Sequence, residues 1–448
     1  MTELVLARAQ MAMLFAFHIL FAVAGMGMPV LMVIAERAHL RTGHPVYAEL
    51  ARRWAKGTSV LFAVGAVSGT VLSFELGLLW PRFMEFAGGV IGLPFALEGF
   101  AFFTEAIFLG IYLYGWNRVS PRLHLASGVL VAIGGIFSGI FIVTANAWMN
   151  SPAGFTLAHG RPADVSPLAA MLNPASATET IHMTLAAFAA SGFAVAGIHA
   201  FLLLRDRKNL FHRKALEIAL AVGGAAAVLL PISGDMSARF VARNQPVKLA
   251  ALEGQFETER GAPLRIGGIP DVASRTTRYA IEVPKGLSLL AHHDPDARVQ
   301  GLTDFPRDEW PDPVPVHLAF QAMVAGGTAM ALLTVAAAWL SWKKRESLFG
   351  RRFLIAVALC GPVGLLCVEA GWVVTEMGRQ PWAIRGVMRT AEAATPVGGL
   401  LLPFAFFSLL YLGLGAASVW LLRREVAASP FFPAGGHAAE GPAPEGRE

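Results

Sequence analysis

Nine apolar runs, each about as long as a membrane is thick, dominate what this chain can fold into. A helix needs roughly 20 apolar residues to cross the hydrocarbon core. The runs are Met11 to Ala35, Thr58 to Trp80, Pro94 to Leu113, Leu125 to Trp148, Ile181 to Leu204, Ala215 to Ser233, Val316 to Trp342, Phe353 to Thr375 and Gly398 to Leu422. The sixth is the shortest. None alternates with period 2, so helices are favoured over barrel strands. The expected fold is an all-α polytopic membrane protein of about nine transmembrane helices.

Composition agrees. Charged residues make up 15% of the chain, against about 25% in a soluble domain. The basic balance, a pI of about 9.4, does not read as a nucleic-acid face, because the bases sit in short clusters between apolar runs. Arg37, Arg41, Arg52, Arg53 and Lys56 follow the first run; Arg118 and Arg122 follow the third. Arg205, Arg207, Lys208, Arg213 and Lys214 follow the fifth; Lys343, Lys344, Arg345, Arg351 and Arg352 follow the seventh; Arg423 and Arg424 follow the ninth. By the positive-inside rule the N-terminus is outside and the C-terminus cytoplasmic. The first run lacks a basic start and a small-residue cleavage site, and reads as a retained span.

The chain then divides into helices 1–6 over residues 1–233, an outer loop over 234–315, helices 7–9 over 316–428, and a Pro/Gly/Ala-rich tail over 429–448, expected to be disordered. The outer loop contains the polar stretch Asn244 to Asp271, NQPVKLAALEGQFETERGAPLRIGGIPD. Lys248 and Glu253 sit in it, where membrane burial gives no account of them.

Ionisable groups within spans are functional candidates by default. His18 lies in the outer half of the first run, His182 opens the fifth, and Met323 lies in the outer half of the seventh. Glu98 and Glu105, seven apart, share one face of the third. Glu75 is near the outer end of the second. The topology puts His18, His182, Met323 and Glu98 at similar depth. Imidazole and thioether are usual axial ligands of electron-transfer haem, so bound haem near the outer side is the expectation. Taken singly, each residue has a plainer reading: an interfacial histidine, a core-filling methionine, a proton or ion path through the carboxylates. A transporter using Glu75, Glu98 and Glu105 is the alternative from another class. His124, His199 and His317 read as structural, and Cys360 and Cys367 as packing without a disulfide.

Several strings resemble subunit I of the cytochrome bd quinol oxidases: LARAQMAMLFAFHILF, ALEGFAFFTEAIFLGIYLYGWNR, ANAWMNSPAG, KLAALEGQFET, GIPD and EAGWVVTEMGRQPWAIRGVMRTAEA. The resemblance covers nearly the whole chain except the tail. It implies a haem-bearing catalytic subunit in the bacterial inner membrane that oxidises quinol at the outer face and reduces dioxygen to water, charging the membrane without pumping. It implies that His182 and Met323 ligate a low-spin haem b and that His18 ligates a high-spin haem, b or d. Glu98 stands beside the haem pair. Glu105, Ser138 and Asn146 match polar positions of proton delivery and the haem pocket. Arg379 and Trp382, in GRQPW, match cofactor-binding positions. Lys248 and Glu253 match the quinol-oxidising residues of a short Q-loop. The implied partners are quinol, dioxygen, membrane lipid, a homologous second subunit and a small single-span subunit.

Three positions depart from the pattern. Gln321 replaces an Arg two residues before Met323, Glu75 replaces a Gln, and alignment from Tyr411 puts Ser418 where a ninth-span Glu ligand is expected. Gln321 and Ser418 motivate a second reading, a divergent relative with another donor or a reduced haem set. If three haems are bound, Glu98, and after it Glu75, is expected to stand in for the missing ligand.

Overall fold

The computed structural model describes residues 3–395, 398–428, 430 and 432. Among them, nine helical segments are long and apolar enough to cross a membrane. They are Glu3–Thr42, Pro45–Leu79, Pro81–Tyr114, Pro121–Asn150, Ser176–Leu203, Leu210–Asn244, Pro313–Lys343, Arg351–Met377 and Leu401–Ala427. We number them as the first to ninth spans. All nine expected runs are present, and most helices outrun their apolar stretch. The sixth continues past Ser233 to Asn244 and so enters the expected outer loop as helix.

Local chemistry sets the starts. Four spans open on proline in the first turn: Pro45, Pro81, Pro121 and Pro313. A missing N–H costs nothing there. Side-chain caps accept orphan amides: Ser120 from Leu123, Asn209 from Phe211, Asp312 from Val314. The eighth span is two helices, Arg351–Cys360 and Val363–Met377, broken at Gly361–Pro362, where proline removes a ladder donor.

The spans group by packing. The first four pack on one another, and the fifth, sixth, seventh and eighth form a second set. The first, fourth and fifth spans join the sets. The ninth lies against the first and second. With no aqueous driving force between helices in lipid, close packing supplies cohesion. Gly192 and Gly223 show it: a Cβ on either would strike the other's backbone, so the fifth and sixth spans approach nearly backbone to backbone.

Between the sixth and seventh spans, a short helix, Pro246–Glu253, ends on Gly254 in the left-handed conformation at φ 59. Two-residue and three-residue antiparallel strand pairs follow, among them Leu264–Ile266 with Ile281–Val283 and Ile269–Asp271 with Thr276–Arg278. His317, at the start of the seventh span, clamps this loop. Its Nδ1 bonds to the Leu252 carbonyl at 2.7 Å and its Nε2 to that of Gly267 at 3.0 Å. Most of the tail, residues 429–448, lies outside the described residues. Of it, the Phe432 carbonyl accepts from Leu210 N at 2.8 Å.

Candidate functional site

The two helix sets each present a histidine in the same way. His18 Nδ1 bonds to Ser68 Oγ of the second span at 3.0 Å. His182 Nδ1 bonds to Ser233 Oγ of the sixth span at 2.9 Å. Each serine spends its own proton on a backbone carbonyl one turn back, Gly65 at 3.1 Å and Leu230 at 3.0 Å. The serine oxygen must therefore accept from the imidazole. Nδ1 carries the proton, and the Nε2 lone pair points away from it. That is the tautomer a metal-ligating histidine needs, fixed by a neighbouring hydrogen bond. Among the described residues, neither Nε2 has a hydrogen-bond partner. His124 and His317, by contrast, have both nitrogens engaged. His199 and His212 pair through their Nδ1 atoms at 3.0 Å.

A glycine packs closely against each candidate ligand. A Cβ on Gly69 would stand 2.9 Å from His18 Cε1, one on Gly234 3.6 Å from His182 Cε1, and one on Gly371 3.3 Å from Met323 Sδ. Small residues thus face His18, His182 and Met323 across the helix interface. Buried polar atoms without partners lie on and just beyond the eighth span: Trp372 Nε1, Glu369 Oε1 and Arg379 Nη1. Buried polar groups in folded proteins are nearly always satisfied. An aromatic macrocycle bearing carboxylates fits this donor set: free imidazole and thioether ligands, and a buried guanidinium with a spare donor. Arg379 is otherwise held by Glu376 Oε2 at 2.6 Å and the Trp382 carbonyl at 3.3 Å. The Trp382 ring lies under the Arg389 guanidinium at 5.1 Å.

The carboxylates lie on the second, third and eighth spans. Glu98 meets Ser138 Oγ at 3.5 Å. Glu105 is buried, with Oε1 unpartnered. Glu75 is buried and accepts from Gln10 Nε2 at 2.9 Å. Ser418 does not face His18. On the ninth span it is Tyr411 that reaches that level, its hydroxyl donating to the Ser68 carbonyl at 3.4 Å. Ser418 lies two turns further on and bonds to its own helix at the Leu414 carbonyl, 2.9 Å away. The eighth span brings in Glu369 and Glu376, and Asn146 donates to Glu376 Oε1 at 2.5 Å. Two acids seven apart in an apolar run were a readable signal, by the same rule that flagged Glu98 and Glu105.

Lys248 and Glu253 are not solvated loop residues. Both are buried, at 6% and 5% exposure. Lys248 reaches the eighth-span carbonyl of Thr375 at 3.5 Å and lies in the field of Glu179, Arg379 and Glu376. Burial pulls its ammonium below the usual lysine range, and Glu179 opposes that. Glu179, one turn before His182, was not anticipated. Burial pushes the Glu253 carboxyl up to about 7, with Arg265 pulling the other way. Gln321 is accounted for: its amide accepts from Gly267 N and donates to the Arg265 carbonyl, both at 3.0 Å. It ties the loop to the seventh span, and the loop's Arg265 brings a positive charge toward Glu253.

The family described as cytochrome bd terminal oxidase subunit I matches residues 6–430. The chain belongs to that family. It is 40% identical over 428 residues to the putative cytochrome bd menaquinol oxidase subunit I of Bacillus subtilis, covering 94% of this chain and 96% of that one. It is 34% identical over 444 residues to the cytochrome bd ubiquinol oxidase subunit 1 of the same organism, covering 95% and 94%. Among solved structures, bd oxidase from Geobacillus thermodenitrificans superposes with a TM-score of 0.91 at 39% identity, covering 96% of this chain and 99% of that one. A bd-type subunit I is an oxidoreductase subunit of the respiratory chain embedded in a bacterial membrane, and the helical architecture described above is that of the family.

Proposed function

We propose that this chain is the haem-bearing catalytic subunit of a quinol oxidase, taking electrons from quinol at the outer face and delivering them to dioxygen. The observation that carries the reading is the paired presentation of His18 and His182, each with Nδ1 held by a serine and Nε2 left open. His182 and Met323 would hold a low-spin haem b, and His18 a high-spin haem of b or d type. When bound, haem supplies the one-electron chemistry and the iron centre for dioxygen.

The chain's own residues do the rest. Glu253 accepts a quinol proton, which a carboxyl poised near 7 can do at neutral pH. Lys248 holds the quinol oxygen by a charge-assisted hydrogen bond. Arg379, through its spare Nη1, anchors an anionic edge of the cofactor, and Trp382 fixes the guanidinium through its carbonyl. Glu98, Ser138 and Glu105 hold protons on the path to the His18 side, and Glu369 and Glu376 supply the eighth-span carboxylates. Two quinols give up four electrons and release four protons outside. One dioxygen takes those electrons and four cytoplasmic protons to give two waters. The N-terminus lies outside, as the basic clusters indicate, so this stoichiometry charges the membrane without a pump. A homologous second subunit and a small single-span subunit complete the assembly.

The test is reduction of the purified complex by quinol. The low-spin haem of a Lys248→Ala, Glu253→Gln double variant should be reducible by dithionite but only slowly by quinol. Fast quinol reduction in that variant would place the donor site elsewhere.

A further inference from the structure

The third span carries a line of polar groups longer than the two glutamates. Glu98, Glu105 and Tyr112 are spaced by seven and so share one helical face. Tyr112 is buried, and its ring packs on His124 at 4.4 Å between centroids. His124 Nδ1 bonds to Glu36 Oε1 at 2.8 Å, and His124 Nε2 bonds to the Tyr112 carbonyl at 2.9 Å. Three spans, the first, third and fourth, thus meet in a buried acid–imidazole–phenol cluster. Glu36 is 2% exposed and His124 3%. The half-buried Trp116 ring covers His124 at 4.1 Å and is itself covered by Arg52 at 4.7 Å.

The hydrogen bonds leave one proton undecided. A carbonyl only accepts, so His124 Nε2 must be the donor to Tyr112. The proton between Nδ1 and Glu36 Oε1 can then sit on either atom without breaking a bond. Three buried oxygens along this face also lack partners of normal geometry: Glu36 Oε2, Tyr112 Oη and Glu105 Oε1. Tyr112 Oη interacts with Glu36. From Tyr112 to Glu105 is about 10 Å along the helix axis, and the tyrosine side chain leans back toward the N-terminal end. Roughly one turn is left to be bridged, and buried polar groups without protein partners are ordinarily satisfied by water.

We infer that Glu36, His124 and Tyr112 form the cytoplasmic entry of a proton path that continues through Glu105 to Glu98. The inference rests on the orientation and oxidase reading above. A proton arriving at Glu36 or His124 is shared across their bond. It leaves from Glu36 Oε2 by way of Tyr112 Oη and bridging water to Glu105, and the next cytoplasmic proton restores the pair. A purely structural clamp would also join the three spans. It would not account for Glu36 Oε2 and Glu105 Oε1 being buried without partners.

The experiment uses the complete oxidase in proteoliposomes. Glu36→Gln and Tyr112→Phe should retain haem content and quinol reduction of the low-spin haem. They should lower steady-state oxygen consumption by about tenfold or more and raise its solvent deuterium isotope effect, while Glu36→Asp recovers most of the rate. If turnover per haem and isotope effect match wild type in both variants, the relay is refuted. If both variants merely lose haem and thermal stability, and turnover per remaining haem is unchanged, the cluster is a clamp and the inference falls. Failure of the underlying reading would look different: wild type itself would not oxidise quinol, or would take up protons from the side that bears its N-terminus.

Discussion

Replacing Glu253 by Gln should separate stability from activity. The carboxyl is buried, and burial raises it from 4.5 to about 7 despite Arg265. That difference corresponds to roughly 3 kcal/mol when the group is fully ionised in the folded protein. The sign follows from linkage. The folded state prefers the neutral acid, so no cost is felt below about pH 4.5, where both states are protonated. The cost grows between 4.5 and 7 and is complete above 7. A neutral amide of the same shape avoids it. Arg265 keeps Glu282 at 3.1 Å as a partner, so the substitution does not strand the guanidinium. Glu253→Gln should therefore be within about 1 kcal/mol of wild type at pH 5 and more stable at pH 8, by up to about 3 kcal/mol. Quinol oxidation should move the other way. In wild type it should rise about tenfold per pH unit below 7 and level off above; in the variant it should be low and flat. Thermal unfolding of the detergent-solubilised complex and quinol turnover, each between pH 5 and 8, read both effects. A variant that is not stabilised at high pH, or that keeps the wild-type pH–rate profile, would refute the reasoning.

Met323→Leu should turn the low-spin haem five-coordinate or lower its potential, since a thioether favours reduced iron; optical spectra and a redox titration check this. Ser233→Ala should weaken low-spin haem binding by about tenfold or more, and Ser68→Ala should do the same at the His18 site only, because each serine orients one ligand; haem stoichiometry after dilution distinguishes them, and loss at the opposite site would break the assignment. Lys248→Ala should raise the quinol KM more than it lowers kcat, because Lys248 holds substrate rather than transferring its proton; steady-state kinetics at fixed oxygen decide it.

The spans were legible because run length alone distinguishes a membrane helix from a core helix. Their ends were not. The sixth helix continues to Asn244 through polar sequence, which hydropathy cannot register. The burial of Lys248 and Glu253 could not be read from their polar stretch, because Lys248 lies against Thr375, 127 residues away, and Glu253 lies in the field of Arg265. Single histidines were readable only as candidates. The distinction between His18 and His124 lies in whether Nε2 is engaged as well as Nδ1, and Ser68, Ser233 and Glu36 are 50, 51 and 88 residues from their partners. Glu369 and Glu376, two acids seven apart in an apolar run, carried the same kind of signal as Glu98 and Glu105.

The central claim is that His18, His182 and Met323 hold haem iron. Pyridine haemochrome analysis and reduced-minus-oxidised spectra of the purified complex, wild type beside His182→Ala, test it most directly. Wild type should show a low-spin b haem together with high-spin haem, and His182→Ala should lose the low-spin bands alone. Wild type without haem, or His182→Ala with unchanged low-spin bands, would contradict the account.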